Sequence, residues 1–228
     1  MLRRVLSFFM PIKIYEKKSA VSQNLEITWN NGELVLDSKN TNYSYGSLQR
    51  ILKIGLKAIG FNKIQKMQSV LVLGVAGGSV IKTLVNEIGF TGKIIGVEID
   101  ENIIEIANKY FKINEIDNLE IVIADAFEFV LKTKEKFDLI IIDIFQDTKM
   151  PNFLFEKFFV NRICWLLNSQ GFVLFNTMCL TEIDNKRNEQ FVHLVDAKVF
   201  HIKKIPRIEL HNELIIIEKK IVVTKKIQ

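Results

Sequence analysis

The segment Val70-Leu71-Val72-Leu73-Gly74-Val75-Ala76-Gly77-Gly78-Ser79 restricts the fold more than any other, because an apolar run passes straight into a turn of small residues. A run that apolar reads as a strand buried on both faces, as in a parallel sheet covered by helices. From Ser69 onward, short apolar runs alternate with amphipathic segments, the pattern of successive βα units. Strands are expected at Val70–Leu73, Lys93–Glu98, Leu119–Ala124, Phe137–Asp143 and Gly171–Thr177, with Leu139–Ile142 at the centre of the sheet. Helices fit at about Val80–Ile88, Glu101–Phe111, shortly after Asp125, at Phe153–Leu167 and near Lys186–Asp196. The closing segments Lys198–Ile205 and Glu213–Glu218 are close enough to pair directly, which makes one strand antiparallel. The expected fold is α/β: a Rossmann-like three-layer sandwich with a seven-stranded, mostly parallel sheet.

Ahead of this domain, Leu25–Trp29 and Glu33–Leu36 flank Asn30-Asn31-Gly32, a strong hairpin signal because Asn and Gly tolerate positive φ. A helix follows from Tyr45 to Ile59, with apolar residues at helical spacing and Gly60 placed to stop it. The chain therefore divides into a β-hairpin region, 1–44, and a main domain, 45–228. The hairpin should offer a free edge through which two copies pair as a homodimer.

Composition excludes several classes. The chain is 48% hydrophobic and 25% charged, as in ordinary globular proteins. Its net charge of +5 comes largely from scattered lysine pairs rather than a stripe, so no nucleic-acid partner is expected. Cys164 and Cys179 form no CxxC pattern, so neither a disulfide framework nor a metal site is expected. Arg3 and Arg4 precede an apolar stretch, but Pro11 breaks it early, and no later run reaches the roughly 18 apolar residues of a membrane span. A cytoplasmic location, with no membrane partner, is the expectation.

The small-residue loop places Gly74, Ala76 and Gly78 at alternate positions, a spacing suited to S-adenosylmethionine, although a tight turn without ligand also fits it. A dinucleotide loop would need glycine at Ala76 and Ser79. Glu98, 24 residues beyond Gly74, ends the second strand within Val97-Glu98-Ile99-Asp100, where a carboxylate can accept from ribose hydroxyls. Asp100 reads more simply as a helix N-cap. Asp125 and Ala126 close the third strand, where an acid can meet an adenine amino group or cap a helix. The candidate cofactor set is thus Gly74, Ala76, Gly77, Gly78, Glu98, Ile99, Asp125 and Ala126. Asp143, after the fourth strand, could orient an amine or take its proton, or could merely cap a helix. Base action near neutrality would require burial to raise its pKa.

Together with Tyr43-Ser44-Tyr45, these motifs resemble the spermidine synthase (polyamine aminopropyltransferase) family over roughly Leu25 to Met178. The resemblance implies a class I S-adenosylmethionine methyltransferase fold, with Glu98 on the ribose, Asp125 on the adenine, Asp143 as catalytic acid-base residue and Tyr45 on the acceptor side. The sequence departs from the family pattern at the acid of Gly-Gly-Gly-Asp-Gly-Gly, which is Gly77 here, and at the glutamine after Tyr45, which is Gly46. The family's Asp-Ser-Ser-Asp-Pro becomes Asp143-Ile144-Phe145-Gln146-Asp147, so Gln146 replaces a second acceptor carboxylate unless Asp147 substitutes for it. Loss of the acid at Gly77 relieves repulsion and makes room for a cofactor carboxylate. The leading expectation is therefore methyl transfer from intact S-adenosylmethionine to a small-molecule acceptor. Aminopropyl transfer from decarboxylated S-adenosylmethionine to putrescine is the alternative, and a non-catalytic cofactor-binding or oligomerisation module is a third.

Overall fold

The computed structural model describes residues 2–19, 21, 23–37, 42–145 and 149–221. A short helix, α1 (Leu2–Leu6), precedes a four-stranded antiparallel sheet of β1 (Ile12–Ser19), β2 (Gln23–Asn30), β3 (Glu33–Asp37) and β4 (Asn42–Ser44), in that spatial order. The expected hairpin is its centre, and Asn31 and Gly32 turn it with φ of 49° and 79°. Its flanks are occupied by β1 and β4, so the open edges of this sheet belong to those two strands rather than to the hairpin itself. The sequence hides β1 because IKIYEKKS is rich in lysine, as exposed edge strands usually are.

Helix α2 (Gly46–Ile59) carries a strongly apolar stripe, in which Ile51, Leu52, Leu56 and Ile59 are buried, and α3 (Phe61–Gln65) leads into the main domain. There the strands are β5 (Ser69–Leu73), β6 (Lys93–Glu98), β7 (Leu119–Ile123), β8 (Phe137–Ile142), β9 (Leu167–Met178), β10 (Phe200–Ile208) and β11 (Asn212–Lys219). Their order is β10-β11-β9-β8-β5-β6-β7, with β8 in the middle as its continuous apolar run requires. All pairings from β9 to β7 are parallel, and β11 alone runs antiparallel to both its neighbours.

Side chains alternate across this sheet and divide the interior into two cores. Val70, Val72, Leu139, Ile141 and Leu174 face α2, α4 (Ser79–Lys82), α5 (Glu101–Ile106) and part of the N-terminal sheet. Leu71, Leu73, Ile140, Ile142 and Phe175 face α6 (Ala126–Lys132), α7 (Lys157–Leu166) and α8 (Glu182–Leu194). Two-sided burial is why these strands lack polar alternation.

Several boundaries move for local reasons. Helix α8 starts at Glu182, earlier than expected, because Thr181 and Asp184 form a capping box. Phe153 lies in a 3₁₀ turn, Asn152–Phe155, and α7 follows it. Strand β9 begins at Leu167, directly after α7, rather than at Gly171. Strands β7 and β8 end one residue short of the expected positions, which leaves Ala124 and Asp143 just beyond their tips. No helix among the described residues is long and apolar enough to cross a membrane.

Candidate active site

A cavity of about 320 Å³ opens at the carboxyl ends of β5, β6, β7 and β8, the edge at which open α/β sheets bind ligands. Its floor depends on Gly74. This residue has φ of +87°, and a Cβ on it would stand 2.2 Å from the carbonyl oxygen of Asp143. The Gly74 N–H donates to Val97 O at 3.0 Å, and the Asp143 N–H donates to Leu73 O at 2.9 Å. The chains leaving β5, β6 and β8 are thereby held flush against one another. Ala76 also lines the cavity and takes the left-handed conformation, with φ of 46°.

Glu98 is buried at the tip of β6, and both of its oxygens are engaged. The Val75 and Ala76 N–H groups each donate to Oε2 at 3.1 Å, while those of Ile99 and Asp100 donate to Oε1 at 2.9 and 3.1 Å. Burial pushes this carboxyl above its ordinary value, against the four N–H donors, which favour the charged form. Glu98 thus organises the loop directly, and a ribose diol would share oxygens already bonded to backbone. Asp100 caps α5 through the Asn102 N–H at 3.0 Å, as its position suggests. Asp125 caps α6, its Oδ1 accepting from the Glu128 N–H at 3.1 Å, and it also lines the cavity beside Ala126 and Ile99.

Asp143 faces the same cavity. Burial pushes its carboxyl from an ordinary 3.8 up to about 7; the Asn176 hydrogen bond opposes the shift and the nearby Glu98 charge adds to it. The Asn176 Nδ2 donates to Asp143 Oδ1 at 2.9 Å. Burial thus moves this carboxyl in the direction that proton transfer near neutrality requires.

Three expected residues are not brought into the cavity wall. A Cβ on Gly77 would stand 2.8 Å from Ser44 Cβ and 3.2 Å from Tyr45 Cε2, so the space vacated by the missing acid is filled by β4 and the residue after it. That removes the argument that Gly77 makes room for a cofactor carboxylate. Gly78 packs against Ile113. Tyr45 stacks on Phe111, with ring centroids 4.3 Å apart, and its buried hydroxyl has no hydrogen-bond partner among the described residues. Gln146 and Asp147 lie outside the described residues.

Sequence reasoning also missed part of the wall. Val21 reaches the cavity from the turn between β1 and β2, Leu48 from α2, and Phe145, Pro151 and Phe153 from the segment after β8. Asn176 was detectable as the lone amide in the apolar run of β9, whereas Val21 and Leu48 depend on how the N-terminal sheet docks.

Three carboxylates, Glu98, Asp125 and Asp143, line the cavity between apolar walls, with no lysine, arginine or histidine among the described lining residues. This set of acceptors fits a cationic nucleoside that presents hydroxyl and amino donors, as a sulfonium derivative of adenosine does. Sheet order, loop and strand-tip acids together define a class I S-adenosylmethionine-type α/β fold.

Within that class, the spermine/spermidine synthase domain family matches residues 51–214, and the chain belongs to it. Similar curated proteins include the polyamine aminopropyltransferase of Methanocaldococcus jannaschii, 32% identical over 111 residues, or 47% of this chain and 38% of that protein. The one from Vibrio vulnificus is 27% identical over 135 residues, 58% of this chain and 44% of the other. These alignments span about two fifths of the relatives' length. A spermidine synthase solved with the transition-state analogue AdoDATO superposes with a TM-score of 0.68 at 22% identity, covering 92% of this chain and 73% of that one. Human methyltransferase-like protein 13, solved with SAH, gives 0.62 at 19% identity over 81% and 86% of the two chains. At such identities the structural likeness establishes the shared fold.

Proposed function

We propose that this chain is an aminopropyltransferase that uses decarboxylated S-adenosylmethionine and an amine acceptor of the putrescine type, with Asp143 as its general base. The observation that carries this reading is Asp143 itself, poised near neutrality in the wall of an otherwise apolar, acid-lined cavity. Decarboxylated S-adenosylmethionine, when bound, supplies an aminopropyl carbon on a sulfonium, so attack by the amine forms a C–N bond, breaks an S–C bond and releases neutral methylthioadenosine. Glu98 and Asp125 would hold the nucleoside, and Asp143 would orient the amine and accept its proton. Ile144, Phe145 and Leu48 line the same cavity and would shield that proton transfer from water.

Family membership and the names of the curated relatives favour aminopropyl over methyl transfer, and the filled space beside Gly77 takes away the main reason for preferring the methyl reading. Incubation of the chain with decarboxylated S-adenosylmethionine and putrescine should release methylthioadenosine together with spermidine. Transfer of a methyl group from intact S-adenosylmethionine, with no aminopropyl product, would overturn the proposal.

A further inference from the structure

We infer that Asn212 and Asn176 form a directed hydrogen-bond relay that fixes the Asp143 carboxylate for its acceptor, and that both are positioning residues for that group. Asn176 lies on β9 and is 0% exposed. Its Nδ2 donates to Asp143 Oδ1 at 2.9 Å, and its Oδ1 accepts from Asn212 Nδ2, on β11, at the same distance. The Asn212 amide also approaches Met178 Sδ at 3.7 Å. Strands β9 and β11 are paired antiparallel, with Asn212 opposite Met178 and Leu214 opposite Asn176, so the second amide is set by sheet register.

The polarity of this chain of bonds follows once Asp143 is ionised. A carboxylate only accepts, so Asn176 must turn its amino group toward Asp143. Its oxygen then faces the interior, where it would be an unsatisfied buried acceptor without Asn212. The four residues before Asn176, Phe172 to Phe175, are buried and apolar, and an aliphatic side chain would suit that strand without needing any partner. With one oxygen of Asp143 held from behind, the other is left for the cavity that Asp143 lines.

The charged groups facing Asp143 are Glu98 from β6 and Asp125 across the cavity from the tip of β7, both acidic. No cationic side chain lines the cavity among the described residues. The Asn176 amide is therefore the group that favours the charged carboxylate against burial and against Glu98. If Asn212 is removed, the Asn176 amide is free to rotate and present its oxygen to Asp143. A carbonyl oxygen bonds only the protonated carboxyl, so proton affinity should rise.

This inference rests on Asp143 being the acceptor-side base, and its test has a readout independent of turnover. The full chain is labelled with ¹³C at the aspartate carboxyl carbons and titrated by NMR, the Asp143 signal being identified by its loss in Asp143→Asn. Asn212→Ala should move the Asp143 midpoint upward by about one pH unit, the size expected for loss of a charge-assisted hydrogen bond. Asn212→Ser, which restores a short donor, should bring it back toward wild type. Asn176→Leu should move it at least as far as Asn212→Ala; if Asn176→Leu does not fold, the two Asn212 variants decide. A midpoint unchanged in a folded Asn212→Ala protein overturns the relay. Methylthioadenosine release by the wild-type chain is scored separately, so a shifted midpoint without turnover rejects the proposed function, and turnover without a shift rejects the relay.

Discussion

Asp143 terminates a strand whose last four side chains are apolar and buried, and the unfavourable setting of its charge is what equips it for proton transfer. Asp143→Asn should lower the rate of transfer by about 10²–10⁴-fold, the usual contribution of a general base, while nucleoside binding measured by calorimetry stays within a few-fold of wild type. For the wild type, kcat/KM should rise through about pH 7 as the carboxyl loses its proton. Stability should change in the opposite sense. The folded chain holds this proton up to about pH 7, whereas the unfolded chain loses it near 3.8, so folding is opposed progressively as pH rises through that interval. Asp143→Asn should therefore be more stable than wild type at pH 8, by about 1–3 kcal/mol, with the difference vanishing near pH 4 in denaturant titrations. Gly77 tests packing alone: Gly77→Ala should cost about 1–3 kcal/mol as an overpacked site, and less in a Ser44→Gly background, because Ser44 Cβ is the atom it strikes. The positions of Glu98, Asp125 and Asp143 were legible in the sequence because strand tips follow from hydrophobic periodicity. The side chain facing Gly77 was not, since Ser44 and Tyr45 reach it from a separate sheet.

The elements of the main domain were legible for the same reason, and the N-terminal ones only in part. Asn-Gly announced one turn, but β1 and β4 carry no apolar alternation strong enough to mark them, and their pairing is set by the strands they flank. This hidden part of the fold touches the cavity. Ser19 Oγ donates to Asp100 Oδ2, which ties the end of β1 to the N-terminus of α5, and Val21 follows in the cavity wall. Ser44 Oγ accepts from the Ser79 N–H at 3.3 Å, which ties β4 to the start of α4. Ser19 Oγ also accepts from the Val21 N–H at 3.0 Å, so Ser19→Ala, which loosens both ties, should weaken nucleoside binding by at least about 3–10-fold, with kcat nearly unchanged. Equal loss in kcat would mean that the β1–β2 turn acts on the chemistry rather than on closure of the nucleoside end.

Across the whole molecule, the seven-stranded sheet brings acids from three strands to one edge and leaves their charges without a cation among the described lining residues. Such a cavity favours a cationic ligand, and both forms of the sulfonium cofactor satisfy that condition. They differ in one carboxylate, which a cavity lined by three carboxylates should disfavour. The choice between methyl and aminopropyl transfer was not legible in the sequence because it was read from the side chain missing at Gly77, whereas the space there belongs to another element. The most direct measurement is a paired incubation of the chain with putrescine and either decarboxylated or intact S-adenosylmethionine, with nucleoside and amine products resolved by mass. Methylthioadenosine and spermidine from the decarboxylated compound, and no methylated product from the intact one, is the predicted result; S-adenosylhomocysteine and a methylated amine from the intact compound alone would contradict it.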